Sequence, residues 1–312
     1  MIERFQILSL DGGGIKGLFS AALLAHIEED CGVNIVDHFD LITGTSTGGI
    51  IALGLGLGMR PKEIVDFYVK KGPAIFGKPG RGWLVNKYQN NPLKAALREE
   101  RCFGERLLGE SRKRLVIPSY NLGEDDVYLF KTPYHARLRR DYKVPAWKVA
   151  MATSAAPTYF PAFDELDHVR LVDGGVWANN PTLVGIAEAV SMLDVPLTSI
   201  SVLSLGTTDE VKHRPAGLDK GGLWQWKKAA ADVIMRGQSV GAYTQAQHLL
   251  GKEKVTRIDP KVPDNLFKLD KLSEKELLAK AAHESRISCP DIHQKFLAHN
   301  AEESFPYNPM AQ

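Results

Sequence analysis

The run Phe39-Asp40-Leu41-Ile42-Thr43-Gly44-Thr45-Ser46-Thr47-Gly48 changes character twice within ten residues. Phe39 to Thr43 is a short apolar stretch of strand length, and from Thr47 a segment rich in alanine and glycine reads as a helix. Between them, Gly44 and Gly48 bracket a serine on a sharp turn. A strand that leaves through glycine straight into a helix is the building unit of a parallel sheet.

The same alternation runs outward in both directions. Phe5 to Leu10 reads as a buried strand, and Leu18 to Glu29 as a helix with Leu23, Leu24 and Ile27 on its apolar face. Pro61 stands at a helix start, with Ile64, Val65, Tyr68 and Val69 inward. A further helix is expected over Pro92 to Arg101. Strands are expected at Arg114 to Ile117 and Val127 to Phe130, around the turn-rich Asn121-Leu122-Gly123-Glu124. Ala146 to Ala155 reads as a helix stopped by Pro157, and Val169 to Val172 as a strand. Asn180-Pro181 caps a helix to about Leu193, and Ile200 to Leu205 is another strand. From Leu223 onward the pattern is helical and increasingly polar.

Strands alternating with helices predict an α/β protein: a mainly parallel central sheet flanked by helices, three layers deep. Without repeats, low-complexity tracts or linkers, residues 1–312 are expected to form one domain. Its core would span about 5–206, with a C-terminal helical portion over about 223–300 and a loose tail at 301–312.

Composition narrows the function classes. The formal net charge is +2, too small to imply a nucleic-acid polymer as bulk partner. Cys31, Cys102 and Cys289 are odd in number, far apart in sequence and without metal-ligand spacing. They predict neither a disulfide framework nor a zinc site, and they fit a reducing setting. Met1-Ile2-Glu3-Arg4-Phe5 lacks a signal-peptide layout, so the expected location is cytoplasmic. The longest apolar stretch, Gly48 to Met59, is about 12 residues, too short to span a bilayer, so any membrane contact is peripheral.

Three segments carry chemistry. Gly44-Thr45-Ser46-Thr47-Gly48 is a GxSxG pattern in the required strand-to-helix context: it exposes Ser46 and aims the next helix's N-terminal N–H groups at the site. Asp11-Gly12-Gly13-Gly14-Ile15-Lys16-Gly17 follows the first strand, where consecutive glycines converge backbone N–H groups on a negative oxygen. Taken alone it suits acyl transfer and phosphate binding equally, although a Walker-type loop would need Gly-Lys-Ser/Thr and this one runs Lys16-Gly17-Leu18. In Arg170-Leu171-Val172-Asp173-Gly174-Gly175, an aspartate leaves a buried strand into a double glycine, which by itself is commonly a turn.

Together the three resemble the patatin-like phospholipase family, whose signatures are a glycine-rich oxyanion loop, a GxSxG serine and a later Asp-Gly-Gly. The resemblance extends to Ala152-Thr153-Ser154-Ala155-Ala156-Pro157-Thr158-Tyr159-Phe160-Pro161 and Asn179-Asn180-Pro181, both typical of bacterial members. It covers roughly Ile7 to Leu205. Lys16 stands where many members carry arginine; it keeps the charge but lacks the bidentate fork.

The resemblance implies a serine lipid acyl hydrolase of the phospholipase A type. Ser46 would be the nucleophile, Asp173 its base, Gly12, Gly13 and Gly14 the oxyanion loop, and Gly44 and Gly48 the elbow. No cofactor or metal is required for this chemistry. A solvated aspartate is a feeble base, with a pKa of roughly 3.9, so Asp173 is expected in a dehydrated cleft beside Ser46. A triad esterase in the order Ser46, Asp173, then His213 or His248 is the alternative, and a kinase-like phosphate binder using the glycine loop is another. A non-catalytic lipid-binding protein would need none of these residues together.

The implied substrate is a phospholipid at a membrane surface, with the protein peripheral to the inner membrane when active. Lys70, Lys71, Lys78, Arg81 and Lys87 interleave with Phe76, Trp83 and Tyr88, a pattern suited to an anionic interface. Lys212, His213, Arg214, Lys220, Trp224, Trp226, Lys227 and Lys228 mix cations with stacking surfaces, as a nucleotide pocket or a homo-oligomer contact would. Compact bacterial patatin-like enzymes include antiphage effectors switched on by cyclic dinucleotides. The chain is similar to that group, so a cyclic dinucleotide activator is a further expectation.

Overall fold

The computed structural model describes residues 2–77, 86–211, 214, 216–222, 226, 229–263 and 274–301. Its main sheet is ordered β4-β3-β2-β1-β6-β8, with β5 joined to β3. The strands are β1 (Phe5–Leu10), β2 (Leu41–Gly44), β3 (Arg114–Asn121), β4 (Asp126–Lys131), β5 (Leu171–Asp173), β6 (Ile200–Leu205) and β8 (Val255–Ile258). A separate parallel pair joins β7 (Asp209–Val211) to β9 (Lys261–Pro263).

The central strands β3, β2, β1, β6 and β8 are all parallel, while β4 and β5 run antiparallel to β3. Alternation along β1 divides the core in two. Leu8 and Leu10 face α1 (Gly17–Cys31), α2 (Thr47–Gly56), α3 (Pro61–Phe76) and α5 (Ala146–Thr153). Phe5 and Ile7 point the other way, toward α7 (Thr182–Leu193) and α8 (Ala230–Leu250). The three-layer arrangement expected from the sequence is present. The remaining helices are α4 (Asn90–Leu97), α6 (Gly175–Ala178) and α9 (Glu274–Lys295).

One topological detail places the site. β2 pairs with the first residues of β3 (Thr43 opposite Val116), and β5 pairs with its last (Asp173 opposite Ser119). β4 occupies the other edge, since Val116 and Ser119 each also pair with it. β2 and β5 therefore share one edge of β3 and run toward each other. The chain leaving β2 into Ser46 meets the chain ending β5 at Asp173 head-on.

Two expectations change. The portion after 223 is not purely helical: Val255–Ile258 adds an edge strand to the main sheet, so that sheet extends beyond residue 206. Four residues with Thr256 and Arg257 in the middle carry too little apolar signal to be read as a strand. The cysteine expectation is also corrected. Cys31 and Cys289 pair as a disulfide, their Cα atoms 7.4 Å apart, while Cys102 is free and buried. A sequence separation of 258 residues hid this, because α9 returns to pack along α1. The tail at 302–312 lies outside the described residues.

Candidate active site

Ser46 sits between β2 and α2 with φ 56° and ψ −121°, a backbone conformation that costs a non-glycine residue about 1–3 kcal/mol and persists only where the surroundings impose it. The surroundings here are close. A Cβ on Gly44 would lie 2.2 Å from the Gly48 carbonyl oxygen, and one on Gly48 would lie 2.2 Å from that of Leu10. The turn can form only without side chains at both places. The Ser46 N–H donates to Thr153 Oγ1 (3.0 Å), whose own hydroxyl donates to the Pro118 carbonyl (2.6 Å). Thr153 thereby pins the elbow to β3.

Ser46 Oγ donates to Asp173 Oδ2 at 2.6 Å, and Asp173 Oδ1 accepts the Gly175 N–H at 2.7 Å. Ser46 is 8% exposed and Asp173 5%, so the pair is largely dehydrated. Burial pushes the Asp173 carboxyl up to about 6, against the opposing pull of the hydrogen bonds from Ser46 and Gly175. The backbone N–H groups of Asp173 and Gly174 donate to the carbonyls of Ala155 (3.0 Å) and Thr153 (3.3 Å). The Ala152–Ala156 segment is thus the bracket that holds the carboxylate against the serine.

The glycine loop lies against the same point. Gly12 donates its N–H to the Asn179 carbonyl (2.9 Å), and Thr45 Oγ1 donates to that of Ala178 (2.6 Å). The Gly12 N–H is thus taken, and Gly14 opens the 3-10 turn Gly14–Lys16 that leads into α1. Lys16 is buried and donates to the Thr208 carbonyl (3.2 Å). Asn179 donates through Nδ2 to Ser239 Oγ (3.0 Å), which docks α8 on the loop after Asp173.

Of the two histidines in the triad alternative, one is described. His248 is exposed and stands nine residues beyond Ser239, roughly 13 Å further along α8. His213 lies outside the described residues. Among the described residues, no cluster of His, Cys, Asp and Glu could hold a metal ion. No helix among them is long and apolar enough to cross a membrane. A hollow of about 500 Å³ lined by Asp30, Cys31, Arg286 and Cys289 lies at the far end of α1, roughly 20 Å from the elbow, and plays no part here.

The two basic-aromatic segments are only partly in view. Phe76 and Tyr88 pack edge to face with each other and around Phe160. Lys70 and Lys71 pair with Asp66 and Glu99. Phe76 and Tyr88 are thus packed into the fold, while Lys70 stays exposed at the surface; Lys78, Arg81 and Trp83 lie outside the described residues. Of the second segment, Arg214 pairs with Asp232 and the Trp226 ring N–H donates to the Leu218 carbonyl. Lys212, Trp224, Lys227 and Lys228 lie outside the described residues.

By fold and by these side chains the protein stands with the α/β acyl hydrolases that carry their serine on a strand-to-helix elbow. The family profile "Patatin-like phospholipase" matches residues 8–186, and the chain belongs to that family. A "cGAMP-activated phospholipase" of Pseudomonas aeruginosa is 31% identical over 98% of this chain and 96% of its own length. One of the same description from Escherichia coli is 37% identical over 66% of this chain and 63% of its own. Among solved structures, VipD from Legionella pneumophila superposes with a TM-score of 0.48 at 12% identity, covering 94% of this chain and 67% of its own.

Proposed function

We propose that the protein hydrolyses acyl esters of phospholipids with Ser46 as nucleophile and Asp173 as its only side-chain base. The observation that carries this reading is the 2.6 Å hydrogen bond from Ser46 Oγ to a buried carboxylate whose other partner among the described residues is the Gly175 N–H. Ser46 Oγ attacks the ester carbonyl and its proton passes to Asp173 Oδ2. The resulting oxyanion is held by N–H groups of Gly13 and Gly14 and of the first turn of α2, each such donor being worth about 2.7–4 kcal/mol. Collapse expels the lysophospholipid alcohol, which takes the proton from Asp173. Water then cleaves the acyl-serine, its proton returning through Asp173 to Ser46, and the fatty acid leaves.

Near full-length similarity to a relative named for activation by cGAMP supports a second element: the hydrolase is switched on by a cyclic dinucleotide and attacks bacterial membrane phospholipids from the cytoplasmic side, as an antiphage effector would. Lipid mass spectrometry on mixed bacterial phospholipids, with and without a panel of cyclic dinucleotides, tests both elements. The expected products are free fatty acid and lysophospholipid, enhanced by one of the dinucleotides and absent with Ser46→Ala or Asp173→Asn. Undiminished release by Ser46→Ala would overturn the site. Release indifferent to every dinucleotide would overturn the switch.

A further inference from the structure

Beyond the residues matched by the family profile, β8 sends one side chain into the back of the glycine loop. Arg257 is 11% exposed. Its Nη1 donates to Asp11 Oδ1 (3.2 Å) and Ser204 Oγ (2.8 Å), and its Nη2 to Asp11 Oδ2 (2.7 Å) and Asp259 Oδ2 (2.7 Å). The guanidinium thus grips Asp11 with both nitrogens while tied to β6 through Ser204 and to Asp259, the residue that follows β8. Asp11 is the last residue before Gly12-Gly13-Gly14, and its own N–H donates to the Leu205 carbonyl (2.9 Å).

We propose that Arg257 is a positioning residue of the hydrolytic site, fixing the direction in which the glycine loop aims its N–H groups by clamping the Asp11 carboxylate. The inference rests on the Ser46–Asp173 reading. Two peptide units separate Asp11 from Gly13, so a carboxylate free to turn would carry the loop with it. A planar two-pronged donor fixes both oxygens at once, which a lysine at the same place cannot do. The cation also offsets the negative charge that Asp11 would otherwise place behind a developing oxyanion. Asp11 is buried, and desolvation pushes it up to about 6 even with Arg257 against it. Without that partner its buried carboxylate would have no counter-charge among the bonds that fix it.

A double-mutant cycle on the full-length protein tests this, with the soluble ester p-nitrophenyl butyrate as substrate and melting temperature recorded for each variant. Asp11→Asn and Arg257→Lys keep volume and one hydrogen bond each, so the fold is retained. Each is expected to lower kcat by roughly tenfold with KM within about twofold, a coupling of ordinary size for contacting residues. Because both act through one clamp, the double variant should be no slower than the slower single variant. An unchanged kcat in folded Arg257→Lys, or a double variant slower by the product of the two single losses, would overturn the proposal. Ser46→Ala run alongside separates the cases: if it stays active the dyad reading has failed, and if it is inactive while the cycle is additive only the clamp has.

Discussion

An aspartate in water titrates near 3.9 and draws a hydroxyl proton poorly, whereas Asp173 is raised to about 6 because its carboxylate is buried beside Ser46. That shift has two consequences of opposite sign. Hydrolysis needs the ionised form, so kcat/KM should rise with pH through a limb centred near 6, and Asp11→Asn, which removes the other carboxyl raised to about 6, should still show the limb of Asp173. Stability runs the other way. The folded pKa of Asp173, and of Asp11 likewise, lies above the unfolded value, so the folded state holds more protons between about pH 4 and 6. Stability from these groups is therefore lost as pH rises through that window, by up to about 3 kcal/mol for each. Melting temperatures from pH 4.5 to 8 should show the decline, and Asp173→Asn should flatten part of it. A melting temperature that climbs steadily to pH 8 would contradict this. The serine and the aspartate were legible in the sequence because glycine neighbours mark them. Thr153 and Arg257 were not, since a threonine inside a helix and an arginine inside a short strand have no local signature of what they will touch.

Among the elements, the strand-to-helix elbow is where local rules are deliberately broken. Alanine in place of a helical glycine ordinarily gains about 0.5–1 kcal/mol. At Gly48 the new Cβ would lie 2.2 Å from the Leu10 carbonyl oxygen and 2.8 Å from that of Asp11, both backbone atoms that cannot swing away. Overpacking of that kind costs about 1–3 kcal/mol and displaces Ser46, so Gly48→Ala should lower both melting temperature and kcat, the latter by at least tenfold. A more stable, fully active variant would show that the elbow tolerates what its geometry forbids. Most elements were readable to within a few residues, because burial on both faces gives β1, β2 and β6 mostly apolar runs. β8 escaped because it is a four-residue edge strand whose central residues are only half-buried.

At the scale of the molecule, the sequence announces a parallel sheet but not the pairing that makes the site. Ser46 and Asp173 are 127 residues apart, and their contact depends on β2 and β5 sharing one edge of β3. No spacing rule contains that, nor the return of α9 that brings Cys289 to Cys31. The same whole-chain geometry leaves His248 far down α8. The most direct test is labelling by a fluorophosphonate, an acyl-transfer mimic that reacts only with an activated serine, followed by peptide mapping and rate measurement. A single adduct is expected on Ser46, slowed at least a hundredfold in Asp173→Asn and formed at the wild-type rate in His213→Ala and His248→Ala. An adduct on another residue, or a rate that survives Asp173→Asn but collapses without either histidine, would contradict it.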